Sequence, residues 1–287
     1  MTENKNKCKR KKRTKKVAKD KYVDVFAGDA RRVAKVEVQP FDIPSIILKR
    51  IADLSTPVDK DVVLKFDEDG IFASNVDVIN SSTLWVEANS EQYDFTGDEV
   101  ALCIEGVRLD KSVKGIDKDD VSHITIGGGL ILIETKGVVV RSPIYVDCRE
   151  TPDNAYNVEE LLPNSVTISS KYITRFLSVA KDESGYLGIG LEDGDMIIAI
   201  TNDDNNIEDV SLRIPGDTMK IGKIQNDCMS YYSKEMCFPI FAALVKLSKG
   251  VTIHIGRDMP MYIHVKSKST GLTANYVIAP RIDDTNF

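Results

Sequence analysis

One pattern recurs in this chain and limits what it can fold into: a strand, an acidic Asp-Gly turn, and a returning strand. It occurs as VVLKFDEDGIFASNVD at 62–77 and as LGIGLEDGDMIIAITND at 187–203. Apolar and polar residues alternate on both sides of each turn, the period of a half-buried strand, and Asp-Gly between two such runs is the strongest short-range hairpin signal. Gly70 and Gly194 lie 124 positions apart. A second pair, HITIGGGLILIET at 123–135 and TIHIGRDMPMYIHV at 252–265, repeats with Ile126 and Ile255 separated by 129. Two hairpin units at nearly one spacing in 287 residues predict two similar domains rather than a single large one.

Ahead of each hairpin the hydrophobic period changes to that of a helix. DIPSIILKRIADL (42–54) sets Ile43, Ile47 and Ile51 on one face, and EGVRLDKSVKGI (105–116) sets Leu109, Val113 and Ile116 there. SSKYITRFLSVAKD (169–182) turns Ile173, Phe176, Leu177 and Ala180 inward, and SKEMCFPIFAALVKLSK (233–249) is the fourth. Pro44 and Pro239 are expected near the starts of the first and last helices, where a missing N–H does no harm. The fold class is therefore α+β, with four units of helix plus antiparallel strands grouped two and two.

The net charge of −6 hides a segregated chain. Residues 1–32 hold 13 of the 38 Lys/Arg and 4 of the 44 Asp/Glu, which leaves 25 basic and 40 acidic residues for the body. The tail has too little apolar content to offset the entropy of ordering, so it is expected to be disordered. A nuclear import signal, a nucleic-acid arm and a solubilising leader all fit it. The acidic body is a poor duplex binder by net charge, because that affinity comes from Lys and Arg displacing counterions. Yet its positive charge gathers on the outward faces of the four helices: Lys49 and Arg50; Arg108, Lys111 and Lys114; Lys171, Arg175 and Lys181; Lys246 and Lys249. Asp53 and Asp110 are the clear acids on those faces.

Several classes are set aside. No apolar run approaches the roughly 20 residues that cross a bilayer, and no signal core follows the N-terminal charges, so an intracellular protein without a membrane segment is expected. Cys8, Cys103, Cys148, Cys228 and Cys237 are scattered and form no CxxC, which suggests neither a disulfide framework nor a thiolate zinc site and fits a reducing compartment. His123, His254 and His264 fall in strands without metal-ligand spacing. GGG at 127–129 reads as a hairpin turn, since no Gly-Lys-Ser/Thr follows it. DEDG at 67–70 lacks the downstream ligands of a calcium loop. No catalytic site, metal or cofactor is indicated.

The stretch VKLSKGVTIHIGRDMPMYIHV through LTANYVIAPRIDD resembles the final hairpin and closing signature of the proliferating cell nuclear antigen family of sliding clamps, in an archaeal style because of MPM. The likeness continues through the Asp-Gly hairpins and covers about residues 33–284. It implies an N-terminal clamp domain at 33–145, a connecting linker at 146–165 and a C-terminal clamp domain at 166–287, behind the basic tail at 1–32. It also implies a non-enzymatic DNA polymerase processivity factor: a ring around duplex DNA, lined by twelve helices from six domains and so built from three copies. A ring held by topology needs only weak phosphate contacts, which suits cations confined to the bore. Copies would join by edge strands, expected at 130–140 and 195–203. Polymerase, flap nuclease, ligase and clamp loader would dock short peptides in an apolar pocket formed by Val76, Leu161, Leu162, Pro260, Val277, Ile278, Ala279 and Pro280. A subunit of a heterotrimeric clamp and a monomeric viral-type factor gripping DNA directly remain open. The compartment would be cytoplasm in an archaeon and nucleus in a eukaryote.

Overall fold

The computed structural model describes residues 37–89, 95, 98–145, 158–202 and 208–281. The expectations for the basic tail and for linker residues 146–157 lie outside them. Two runs of elements follow the same order. The first is β1 (Val38–Pro44), α1 (Ser45–Ser55), β2 (Asp61–Phe66), β3 (Gly70–Val76), β4 (Ser82–Asn89), β5 (Val100–Glu105), α2 (Gly106–Ser112), β6 (Val121–Gly127), β7 (Leu130–Thr135) and β8 (Val138–Pro143). A short helix α3 (Val158–Leu161) leads to the second. It comprises β9 (Asn164–Ser169), α4 (Ser170–Ala180), β10 (Tyr186–Glu192), β11 (Asp195–Thr201), β12 (Glu208–Ile214), an inserted β13 (Lys220–Lys223), β14 (Cys228–Ser233), α5 (Lys234–Leu247), β15 (Gly250–Ile255), β16 (Met261–Lys266) and β17 (Thr273–Ile278).

The strands make three antiparallel sheets, ordered β1-β6-β7-β8, β12-β11-β10-β14 and β13-β9-β15-β16-β17-β4-β3-β2-β5. The long sheet crosses from one half to the other where β17 pairs with β4, from Thr273↔Glu87 to Ile278↔Ser82. Beneath it, α1 packs on α2, α5 on α4, and α1 on α5, so the four long helices stand in one row. Ile47, Leu48, Ile51, Phe176, Phe241 and Leu244 point from that row into a continuous core with Leu84, Val86, Ile263 and Tyr276.

Helix α1 is fixed at both ends. The Ser45 amide donates to the Asp120 carbonyl at 2.9 Å, and Ser45, Ser122 and Thr135 form a buried hydroxyl chain at 2.6 Å per link. At its other end the buried Tyr276 hydroxyl, from the opposite half, donates to the Leu54 carbonyl at 2.6 Å. Helices α4 and α5 are capped by Ser169 and Ser233, whose hydroxyls accept from the amides of Lys171 and Met236.

The structure corrects some expectations. Pro239 lies inside α5 rather than at its start, and its position in the second turn forfeits only a bond to the first. Lys114 follows α2, which ends at Ser112. The two Asp-Gly turns are not alike. Asp193 (φ 52°) and Gly194 (φ 83°) form a two-residue turn with both residues left-handed. Gly70 instead sits where a Cβ would come within 2.3 Å of the Ala88 carbonyl oxygen. Cys103 is disulfide-bonded, whereas Cys228 and Cys237 are free and buried. Scattered spacing could not reveal which cysteines the fold brings together.

Candidate nucleic-acid interface and partner pocket

The cationic candidates lie on α1, α2, α4 and α5 or just past their ends, Lys114, Lys181 and Lys249 following α2, α4 and α5. Lys49 and Arg50 are half-buried, while Arg108, Lys111, Lys114, Lys171, Arg175, Lys181, Lys246 and Lys249 are exposed. Arg50 pairs with Asp53 at 3.3 Å, Arg108 with Glu105 at 3.4 Å and Lys181 with Asp182 at 3.8 Å. The other seven have no acidic partner among the described residues. Elsewhere three cations are engaged by carboxylates. Lys65 bridges Glu99 and Asp67, Lys136 bridges Asp117 and Asp120, and Arg213 pairs with Glu192 and Asp195. Hydrogen bonds to these carboxylates raise the affinity of Lys65, Lys136 and Arg213 for their protons. Lys60, Lys118, Arg141, Lys220, Arg257, Lys266 and Lys268 are likewise outside these ion pairs, so what marks the helix row is the gathering of seven unpaired cations on neighbouring helices and their ends, where they can meet a polyanion without first breaking an ion pair.

Lys234, not singled out from sequence, is the buried exception on the helices. Its Nζ donates to the carbonyls of Lys181 and Glu183 at the end of α4 and lies 4.9 Å from the centre of the Phe238 ring. It fixes α5 against α4 and is unavailable to a ligand.

On the opposite, outer face of the long sheet, cross-strand partners fall into rows. Val76, Thr83, Val277 and Tyr262 form one. The pocket candidates Val76 and Val277 are thus neighbours across a single strand. Just beyond the strand ends come Pro260, Ala279 and Pro280. Side chains of β14 hold the approach to Pro260. The Ser230 hydroxyl donates to the Gly256 carbonyl at 2.7 Å and accepts from the Asp258 amide at 2.8 Å, and the Tyr232 hydroxyl donates to the Met259 carbonyl at 3.1 Å. After Ile278, the Ala279 amide donates to the Ser81 carbonyl and the Arg281 amide to that of Tyr231, each at 2.7 Å. The Arg281 guanidinium carbon lies 3.5 Å from the centre of the Tyr186 ring. Pro280 is thus flanked by residues tied to one half each, Ala279 to the first and Arg281 to the second.

Two pocket candidates are displaced from it. Ile278 and Leu162 are each 1% exposed, and Ile278 faces the helices as part of the core. Leu161 is 72% exposed on α3. Near the pocket, sequence reasoning passed over Val78 and Ile79, 68% and 77% exposed in the turn before Ser81. The available signal was an apolar pair inside an Asp/Asn/Ser turn. A cavity of about 710 Å³ lies elsewhere, at the start of β1, and its Glu37, Asp98 and Glu99 are unsuited to a phosphate.

The histidines hold no metal cluster among the described residues. His123 Nδ1 lies 2.8 Å from an Asp42 carboxylate oxygen. His254 is buried in β15, with Nε2 3.8 Å from Glu159 of α3 and its ring edge-on to Tyr262. Burial lowers its proton affinity, and Glu159 opposes that shift. No helix among the described residues is long and apolar enough to cross a membrane.

The described residues thus form a row of helices with unpaired cations under a sheet shared by two like halves. No protein-family model matches the sequence. A DNA polymerase sliding clamp of Methanocella arvoryzae is 22% identical over 240 residues, spanning 81% of this chain and 94% of the relative. A. fulgidus PCNA, solved with the C-terminal region of FEN-1 bound, aligns with a TM-score of 0.70 at 15% identity, over 85% of this chain and 99% of that one. The PCNA2-PCNA3 complex of Sulfolobus tokodaii gives 0.71 at 15% identity over 85% and 99%, and PCNA of Entamoeba histolytica gives 0.66 at 15% over 86% and 100%. The fold is that of the proliferating cell nuclear antigens, and the sequence is similar to that of a DNA polymerase sliding clamp.

Proposed function

We propose that this chain is a DNA polymerase sliding clamp. It acts as a non-enzymatic ring of three copies around duplex DNA, which tethers polymerase, flap nuclease, ligase and loader through short peptides docked over Val76, Val277, Pro260, Ala279 and Pro280, with Leu161 alongside. The domains run 33–145 and 166–287, joined by 146–165. The helix cations line the bore, and tethering raises the effective concentration of each client at the primer end. The compartment is the one that holds the DNA.

The observation that carries the ring is a correspondence between strand edges. Residues Pro44 and Ser169, which precede α1 and α4, pair with Val121 and Gly250, and Glu105 and Ser233, which precede α2 and α5, pair with Asp61 and Tyr186. Following the ladders from these anchors makes β8 the counterpart of β17, and β12 the counterpart of β4. The pair β17·β4 is closed within the chain, while β8 and β12 each end a sheet. Strand β11, expected from sequence as an edge, is paired on both sides by β10 and β12 and has no edge to offer. Of 130–140, only the β8 part lies on an edge.

The joint between copies is then β8 on β12 in the register of β17 on β4. Val140 stands where Tyr276 does and Val210 where Leu84 does, so these two face each other, and Val138 faces Leu212. Val138 is 58% exposed in the single chain. Both edges are apolar where they would meet, so the chain is complementary to a second copy of itself, and a head-to-tail contact of this kind closes into a ring.

Mass in solution, together with retention on circular against linearised plasmid after loading, tests this. A trimer that stays on the circle and slides off the linear form is expected. A monomer with equal retention on both favours the direct-grip factor. The heteromeric likeness in Sulfolobus tokodaii keeps a mixed ring as the second reading, and a trimer formed by this chain alone would exclude a need for other subunits.

A further inference from the structure

We infer that Val140 keeps the joint between copies separable, because it occupies the place of the side chain that locks the closed seam. The inference rests on the ring reading above. Val166, Ile253, Ile263 and Tyr276 are successive cross-strand partners on β9, β15, β16 and β17, and they form an inward row that ends at the seam. Phe41, Ile124, Ile133 and Val140 form the corresponding row on β1, β6, β7 and β8, which ends at the joint. The rows differ most at their last position. Tyr276 is buried, and its hydroxyl donates to the Leu54 carbonyl at 2.6 Å. A valine has no proton to give.

The groups that face this place change in the same direction. Helices α1 and α4 are each 11 residues long and directly follow their anchors Pro44 and Ser169, so Leu54 corresponds to Val179. Across the seam Tyr276 pairs with Leu84, and across the joint Val140 faces Val210. Three valines therefore stand at the joint where the seam has a tyrosine and two leucines, which leaves room for a larger side chain at position 140. Leu54 is 1% exposed and Val179 55%, the difference between a helix end covered within the chain and one that awaits the next copy. Tyr276 caps the Leu54 carbonyl, whereas among the described residues the Val179 carbonyl receives no hydrogen bond from outside its helix. The joint is thus held by strand pairing and apolar contact, without the buried hydrogen bond of the seam. A ring must open to admit circular DNA, and this places the weaker closure where parting leaves each chain folded.

Val140→Tyr and Val140→Phe, each made in the full chain, test this, because they differ by a single hydroxyl. Sedimentation velocity over a dilution series gives the dissociation constant of the joint, and exchange between differently labelled copies gives its opening rate. Val140→Tyr is expected to hold each joint about threefold to tenfold tighter than Val140→Phe, the effect of one buried hydrogen bond, and to exchange more slowly than the native chain. Melting temperatures of the variants control for folding. If Val140→Asp gives monomers, yet Val140→Tyr is no tighter than Val140→Phe or than the native chain, the edges meet but the missing donor is not what loosens them; the inference is refuted and the ring stands. If the native chain, Val140→Tyr and Val140→Phe all stay monomeric, or Val140→Asp leaves trimers intact, the ring reading falls and the inference with it.

Discussion

Two regions of this molecule have the same strand arrangement and opposite fates. At β4·β17 a strand from each half meets the other, β17 pairing along its whole length, with Tyr276 reaching through to cap α1. At β8 and β12 the corresponding strands end their sheets with valine and leucine at the matching positions. In the proposed ring the open edges would find in the next copy the partner that the seam already has within the chain. The closed seam shows what a charge would do at such a pairing. At the seam it would break the fold, whereas at the edges it would break only assembly.

The largest expected effect uses that difference. Val140→Asp places a carboxylate opposite Val210 of the next copy, and burying an unpaired charge is costly enough to raise the dissociation constant of the joint by about 100-fold or more. Sedimentation velocity should find monomers with an unchanged circular dichroism spectrum; intact trimers would mean that these edges do not meet.

The next effect separates the helix row from the edges. Changing Lys111, Lys171 and Arg175 together to alanine should leave assembly intact but flatten the salt dependence of DNA binding, by roughly 0.9 in log-log slope for each phosphate that is no longer neutralised. An unaltered slope would remove these side chains from the DNA path.

At the seam itself, Tyr276→Phe leaves the Leu54 carbonyl without its donor and should cost about 1–2 kcal/mol in urea unfolding. The trimer mass should not change; a loss of trimer would mean that the seam and the edges are coupled.

The smallest effect concerns His254 under α3. Because burial lowers its proton affinity in the fold, the unfolded chain takes up its proton first as pH falls. The stability tied to the neutral ring is complete above the ordinary histidine value of about 6.5 and is lost as pH drops through the depressed one. Melting temperature should therefore fall between pH 7 and pH 5 more steeply in the native chain than in His254→Gln, and parallel curves would count against a buried neutral ring.

Much of this was legible in local sequence. Alternation placed the hairpins at 62–77 and 187–203, and the helical period located all four long helices, because each signal is complete within about a dozen residues. The cations on the helix faces followed from the same periodicity. What failed depended on neighbours distant in the chain. DMIIAITND reads as a plausible edge, yet β11 is buried between two strands, and nothing in those nine residues says so. Ile278 and Val277 are adjacent and both apolar, but the pleat sends one to the core and the other to the outer face. Leu161 and Leu162 part company in the same way at the end of α3.

By itself, then, the sequence determined where strands turn, which helix faces are apolar and where positive charge collects, since periodicity and turn chemistry act between near neighbours. Only the tertiary structure decided that β17 closes on β4 while β8 and β12 stay open, and that Trp85 lies beside Asn275. Those pairings join residues some 190 positions apart, and their stability comes from burying surfaces that no short stretch of chain contains.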